Sequence, residues 1–236
     1  MRDWKYIRTL ILIYRIILGL LTWTTLILMF VNSAIKQTDA LSGFISGLST
    51  YRYYTMQTNL FAALWLTLAI IFHGNPKKLN KIKGVLKGAI TIYISITFIV
   101  YAIMLRSLYN PTAILDKFTN IITHYAIPLA FLIDSLFTEK TIKYKWLNLV
   151  FWVIYPVLYL LFAITHGKLT GDYLYPFLDV NELGVGYFIL VVVILLIGFL
   201  ALGSLLILIN LLWNKRLSTI KESTQSDPIK IIEENK

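Results

Sequence analysis

The sequence predicts an all-α integral membrane protein of six transmembrane helices with both termini in the cytoplasm. Three observations carry that expectation. Of the 236 residues, 58% are hydrophobic and 14% charged, against roughly 25% charge in a soluble domain, and the mean hydropathy is +0.71. The apolar residues fall into six runs of about 20, the length a helix needs to cross about 30 Å of hydrocarbon. The basic residues alternate by loop, 16 on one side of such a chain and five on the other, with Arg15 inside a span. Basic loops stay in the cytoplasm.

Span one is expected from Thr9 to Val31. It is longer than the apolar stretch of a secretory signal and no small-residue cleavage pattern follows, so it should remain as a span. Arg15 enters it from the cytoplasmic side at about the depth of Asp134 in span four. A bare charge at either place is costly, so the two are expected to form a structural ion pair, with a proton relay as the alternative.

Span two, Tyr54 to His73, opens with the polar stretch RYYTMQTNL at Arg52. On a helix Thr55, Thr58 and Asn59 share one face while Gln57 points elsewhere. Two readings fit that stripe: threonines that bond helix to helix beneath an interfacial tyrosine belt, or a reactive site at the outer leaflet.

Span three runs from Lys87 to Arg106, with Gly84 and Gly88 spaced for close helix packing at its foot. Span four, Thr119 to Phe137, carries His124 roughly 8 Å inside its outer end. Pro128 cannot donate to the His124 carbonyl, so a kink with a free acceptor is expected there. An ionisable side chain at such a place is either a functional group or an interhelical structural histidine. Asp134, about 15 Å deeper, is too far away to orient His124.

Span five is expected from Leu147 to His166 and span six from Val185 to Trp213. The outer loop between them offers His166, Asp172, Asp179 and Glu182 with Tyr173, Tyr175 and Phe177, either as a lid over an outer cavity or as a solvated loop with aromatics at the headgroups. His124, His166 and Asp179 have the ligand types for a metal but no ligand spacing, so no metal and no cofactor is expected. Residues 1–213 would form the membrane domain and 214–236 a disordered cytoplasmic tail.

The net charge of +10 follows from topology, so no nucleic-acid partner is inferred; the partners expected are the bilayer and a lipid substrate. Zero cysteines exclude disulfides, thiol nucleophiles and thiolate metal sites. No phosphate-cradling, dinucleotide or serine-elbow motif occurs.

The segments YYTMQTNL, THYAIPLAFLIDSLF, YPVLYLLFAITHG and YPFLDV resemble the androgen-induced and androgen-dependent TFPI-regulating proteins, in their bacterial branch, over about Tyr6 to Trp213. The resemblance implies a multipass threonine hydrolase of the cell membrane that cleaves fatty acid esters of hydroxy fatty acids or related lipid esters. It places the nucleophile at Thr55 and the histidine at His124. In that chemistry a neutral imidazole activates the threonine hydroxyl. Asn59, one turn below Thr55, would donate to the oxyanion, and Asp179 or a loop tyrosine such as Tyr175 would orient His124, with Thr58 and His166 in support. A transporter or channel is the alternative.

Overall fold

In the computed structural model the backbone is described for residues 2–138 and 143–233, and side chains for residues 6–75, 85–138 and 143–216. Helices make up 86% of the chain, with no strand among the described residues. Six are long and apolar enough to cross a membrane: Tyr6–Ala34, Tyr54–Ile71, Val85–Leu105, Ile114–Thr138, Leu147–Thr170 and Val180–Arg216. Each coincides with an expected span to within a few residues at most edges.

The first span lies in α1 (Arg2–Ala34) and is followed by a short helix, α2 (Ala40–Ser49), which periodicity did not reveal. Asp39 caps α2 by accepting from the Ser42 N–H at 2.9 Å, and that bond holds its carboxyl below the usual carboxylate range. Gly43 and Gly47 lay α2 on α1: a Cβ at Gly43 would meet the Ala34 carbonyl oxygen at 2.9 Å, and one at Gly47 the Phe30 ring at 2.6 Å. The opposite face, with Leu41, Phe44, Ile45 and Leu48, is exposed, as befits a helix facing lipid.

The second span, α3 (Tyr54–Ile71), is the shortest of the six and forms the centre of the bundle. The polar stripe of Thr55, Thr58 and Asn59 continues as Ala62, Ala63, Leu66 and Ala69, all buried. Small side chains at this helical spacing let α1 and α4 approach closely. One core packs Trp65 and Leu66 of α3 against Leu18, Ile94 and Phe131.

The third span is the latter part of α4 (Pro76–Val100), extended by a π-helical turn over Tyr101–Leu105. The fourth is α5 (Ile114–Ile121), a second π turn (Ile122–Ala126) and α6 (Ile127–Thr138). It starts at Ile114, before the expected Thr119, because the Asp116–Lys117 turn stays helical. Asp116 sits in the first turn of α5, where a helix end favours an anion, and it accepts from the Asn32 amide at 2.7 Å. His124 is therefore about 15 Å from the start of its span, deeper than the expected 8 Å. The departure from α geometry lies in the π turn, upstream of Pro128 rather than at it; the Ile127 N–H bonds the Ile122 carbonyl, five residues back.

The fifth span is α7 (Leu147–Thr170), the sixth lies in α8 (Val180–Glu233). Gly184 breaks the start of α8 at φ 75°, ψ 158°, a conformation reserved for glycine, so the straight helix begins near the expected Val185. Gly88 meets α7: a Cβ there would lie 2.3 Å from the Trp152 ring. Gly84 and most of the tail expected from Asn214 lie outside the residues whose side chains are described.

Candidate active site

The first turn of α3 and the π turn of the fourth span bring Thr55 and His124 together. Thr55 Oγ1 lies 3.3 Å from His124 Nε2, and Thr55 is buried. The other ring nitrogen, Nδ1, is 3.0 Å from the Asn120 carbonyl oxygen. A carbonyl only accepts, so Nδ1 carries the hydrogen and Nε2 presents its lone pair to the threonine hydroxyl. Thr123 Oγ1, itself donating to the Thr119 carbonyl at 2.8 Å, lies 3.2 Å from Nδ1.

Tyr101, in the π turn that ends the third span, fixes the plane of the imidazole. Its ring stacks on His124 with centroids 3.9 Å apart and planes 25° apart, and its hydroxyl accepts from the Asn120 side-chain amide at 2.5 Å. Asn120 thus holds His124 twice, through its carbonyl and through Tyr101. The π turns are what aim these groups inward, a use such turns commonly serve.

Thr58 bonds the Thr97 hydroxyl at 2.8 Å and ties α3 to α4. Asn59 does not face the site as an oxyanion donor. Its amide hydrogens go to the carbonyls of Thr55 at 2.8 Å and Thr123 at 3.2 Å, and the atom left unpaired is its acceptor, Oδ1. It is the strut between α3 and the π turn. Gln57, off the stripe, accepts from the Tyr155 hydroxyl at 2.8 Å.

Two tyrosines close the start of α3. The Tyr54 N–H points at the hydroxyls of Tyr159 at 3.0 Å and Tyr175 at 2.9 Å. Tyr175 comes from the loop after α7, where Gly171, at φ 74°, ends the helix and Tyr173 packs flat against Gly167, whose Cβ would fall 2.3 Å from that ring. The Tyr175 ring stacks on Phe177 at 5.1 Å and meets Tyr53 edge-on at 6.0 Å.

His166 and Asp179 stand apart from His124. His166 Nδ1 donates to the Asp172 carbonyl at 2.9 Å, so its Nε2 accepts from Arg52 at 3.0 Å. Asp179 accepts from the N–H groups of Asn181 and Glu182 at 2.9 and 3.2 Å and so caps α8. The role of orienting His124 belongs instead to the Asn120 carbonyl. No group of three His, Cys, Asp or Glu side chains that could hold a metal occurs among the described residues.

A cavity of about 170 Å³ runs from Thr55, Tyr159 and Tyr175 between α4, α7 and α8 to Ile96, Val153 and Phe199. No charged side chain lines it. Thr55, Tyr175 and Phe199 are almost fully covered, whereas Val157 of α7 and Leu196 of α8, also in its wall, each keep 43% of their surface exposed. The open side therefore faces lipid between α7 and α8, and the loop carrying Tyr175 closes the end.

At the opposite end of the bundle Arg15 Nε lies 2.8 Å from Asp134 Oδ1, and Lys87 Nζ lies 2.5 Å from Asp134 Oδ2. Both cations also donate to Thr138 Oγ1, at 2.8 and 3.0 Å. The expected ion pair is a cluster. Lys87, the expected first residue of span three, is fully buried. Asn120, Tyr101 and Tyr159 were also missed; the spacing of Asn120 one helical turn before His124 was the one local signal.

No family model, curated protein or solved structure matches the chain.

Proposed function

We propose that the protein is an intramembrane lipid ester hydrolase in which Thr55 is the nucleophile and His124 its base. The observation that carries this reading is the directed contact of 3.3 Å between Thr55 Oγ1 and an unprotonated His124 Nε2, at the head of an apolar cavity open to lipid. A contact of this length is usual for a nucleophile and base without substrate. The resemblance to the androgen-induced and androgen-dependent TFPI-regulating proteins supports the same two residues and a substrate among fatty acid esters of hydroxy fatty acids or related lipid esters. Positive-inside charge supports cytoplasmic termini and a site in the outer leaflet of the cell membrane.

The steps balance on the residues present. Thr55 Oγ attacks the ester carbonyl carbon while its proton passes to His124 Nε2, and the carbonyl electron pair becomes an oxyanion. Collapse expels the alcohol, which takes the proton from Nε2, and leaves an acyl-threonine. Water repeats the attack, its proton going to Nε2, and Thr55 leaves with that proton as the acid is released. Thr55 stands in the first turn of α3, where N–H groups lack helical acceptors and the helix end is positive, so the oxyanion forms beside a favourable field.

The test is hydrolysis of a lipid ester by purified protein in detergent, with folding followed by thermal melting. Thr55→Ala is expected to lose turnover and labelling by a fluorophosphonate probe, and Thr55→Ser, which keeps the hydroxyl, to retain both in part. Full activity in well-folded Thr55→Ala would end this reading and favour transport, for which flux across vesicles is the measurement.

A further inference from the structure

We propose that the Tyr175 hydroxyl is a catalytic group of the site, the hydrogen-bond donor that receives the oxyanion. The proposal rests on the hydrolase reading and adds to it a residue from a different element of the fold.

Two hydroxyls meet the Tyr54 N–H. Tyr159 donates its own to the Arg52 carbonyl at 3.0 Å, so it is a strut for the turn that precedes α3. Tyr175 accepts from the Tyr54 N–H at 2.9 Å and meets the Tyr159 hydroxyl as well. Its hydroxyl adjoins the N–H and the hydroxyl of Thr55, and it lines the cavity beside Thr55. A phenol hydroxyl held by main-chain N–H groups and in hydrogen-bonding contact with the hydroxyl of the nucleophile is where charge developing on a substrate carbonyl would be met.

The environment keeps that donor available. Burial pushes the Tyr175 hydroxyl above the usual phenol range, outweighing the hydrogen bonds it accepts, so it stays protonated at neutral pH. Phe177 and Tyr53 hold the ring on its two sides, which spares the site reorganisation during the reaction.

The measurement is steady-state hydrolysis of 4-nitrophenyl octanoate by the full-length protein in detergent, for wild type, Thr55→Ala, Tyr175→Phe and Tyr155→Phe, with melting temperatures alongside. Tyr175→Phe is expected to lower kcat on the order of 100-fold with little change in KM, the size seen when one oxyanion donor is removed. Tyr155→Phe, which loses the bond to Gln57 outside the cavity wall, is expected to leave kcat close to wild type and lower the melting temperature. A Thr55-dependent rate untouched by Tyr175→Phe, or equal kcat losses in the two phenylalanine variants, would overturn the proposal while leaving the hydrolase reading intact. Equal rates in wild type and Thr55→Ala would overturn both. Should Tyr175→Phe fail to fold, fluorotyrosine at position 175, which keeps the shape and strengthens the donor, is expected to raise kcat; an unchanged kcat would overturn the proposal.

Discussion

His124 Nδ1 lies 3.0 Å from the carbonyl oxygen of Asn120, one turn back on its own span. In a regular α-helix that carbonyl would serve a backbone N–H; the π turn at Ile122–Ala126 brings the imidazole to it. The acceptor that sets the tautomer is thus main chain, and no carboxylate is needed as a third member. Asp179→Asn and His166→Gln are therefore expected to keep Thr55-dependent turnover. Asp179→Ala should instead cost about 1 kcal/mol through loss of the α8 cap, read as a lower melting temperature. A kcat collapse in Asp179→Asn would restore that residue to the catalytic machinery.

Thr55 and His124 should behave as one unit. If His124 serves only through the Thr55 hydroxyl, His124→Ala lowers kcat by about 100-fold or more, and the double variant with Thr55→Ala is hardly worse than either single one. Additive losses, measured as kcat on the same ester, would mean that the two side chains act separately.

The span count, the stripe of Thr55, Thr58 and Asn59 and the partnership of Arg15 with Asp134 were legible because each depends on helical spacing or on the cost of a charge in hydrocarbon. What hydropathy could not show is geometry that leaves the α period. The two π turns that turn Tyr101 and His124 face to face carry no compositional mark, and α2 is shorter than a span. Lys87 escaped because a lysine at the foot of an apolar run reads as a boundary residue until a partner on another helix is in view. Asn59 was placed on the right face, yet spacing cannot tell which end of its amide is already engaged.

Lys87 changes what the buried ion cluster should do on mutation. Asp134→Asn takes the shared anion from two cations and is expected to cost about 3–5 kcal/mol, more than Arg15→Met, which leaves the Lys87–Asp134 contact. Replacing Arg15 and Asp134 together by apolar residues removes Asp134 from Lys87 as well, so rescue requires a third change, Lys87→Met. Thermal melts that rank the triple replacement above the double one would agree with the cluster. A double replacement as stable as wild type would show that Arg15 and Asp134 act as an isolated pair.

Topology is open to a direct check. With cytoplasmic termini, a reporter active only outside the cell should be silent when fused after Trp213 and active when inserted near Asp116, at the start of the fourth span. The reverse pattern would put Thr55 in the inner leaflet.

The cavity sets an expected acyl length. Its walls on α7 and α8 extend from Leu160 to Val153 and from Val192 to Phe199, seven residues or about 10 Å of helix. At about 1.25 Å per methylene, the projection of a C–C bond of about 1.5 Å, that length holds roughly eight carbons below a carbonyl at Thr55. The floor is closed by Phe199, whose ring stacks on Tyr93 at 6.2 Å. Each buried methylene is worth about 0.8 kcal/mol, so KM should fall about fourfold per added carbon until the floor is reached and then level off. Phe199→Ala should move the plateau to longer chains without touching kcat for short ones. A KM that keeps falling at the same slope for much longer chains would mean that the acyl tail leaves the cavity between Val157 and Leu196 into the bilayer.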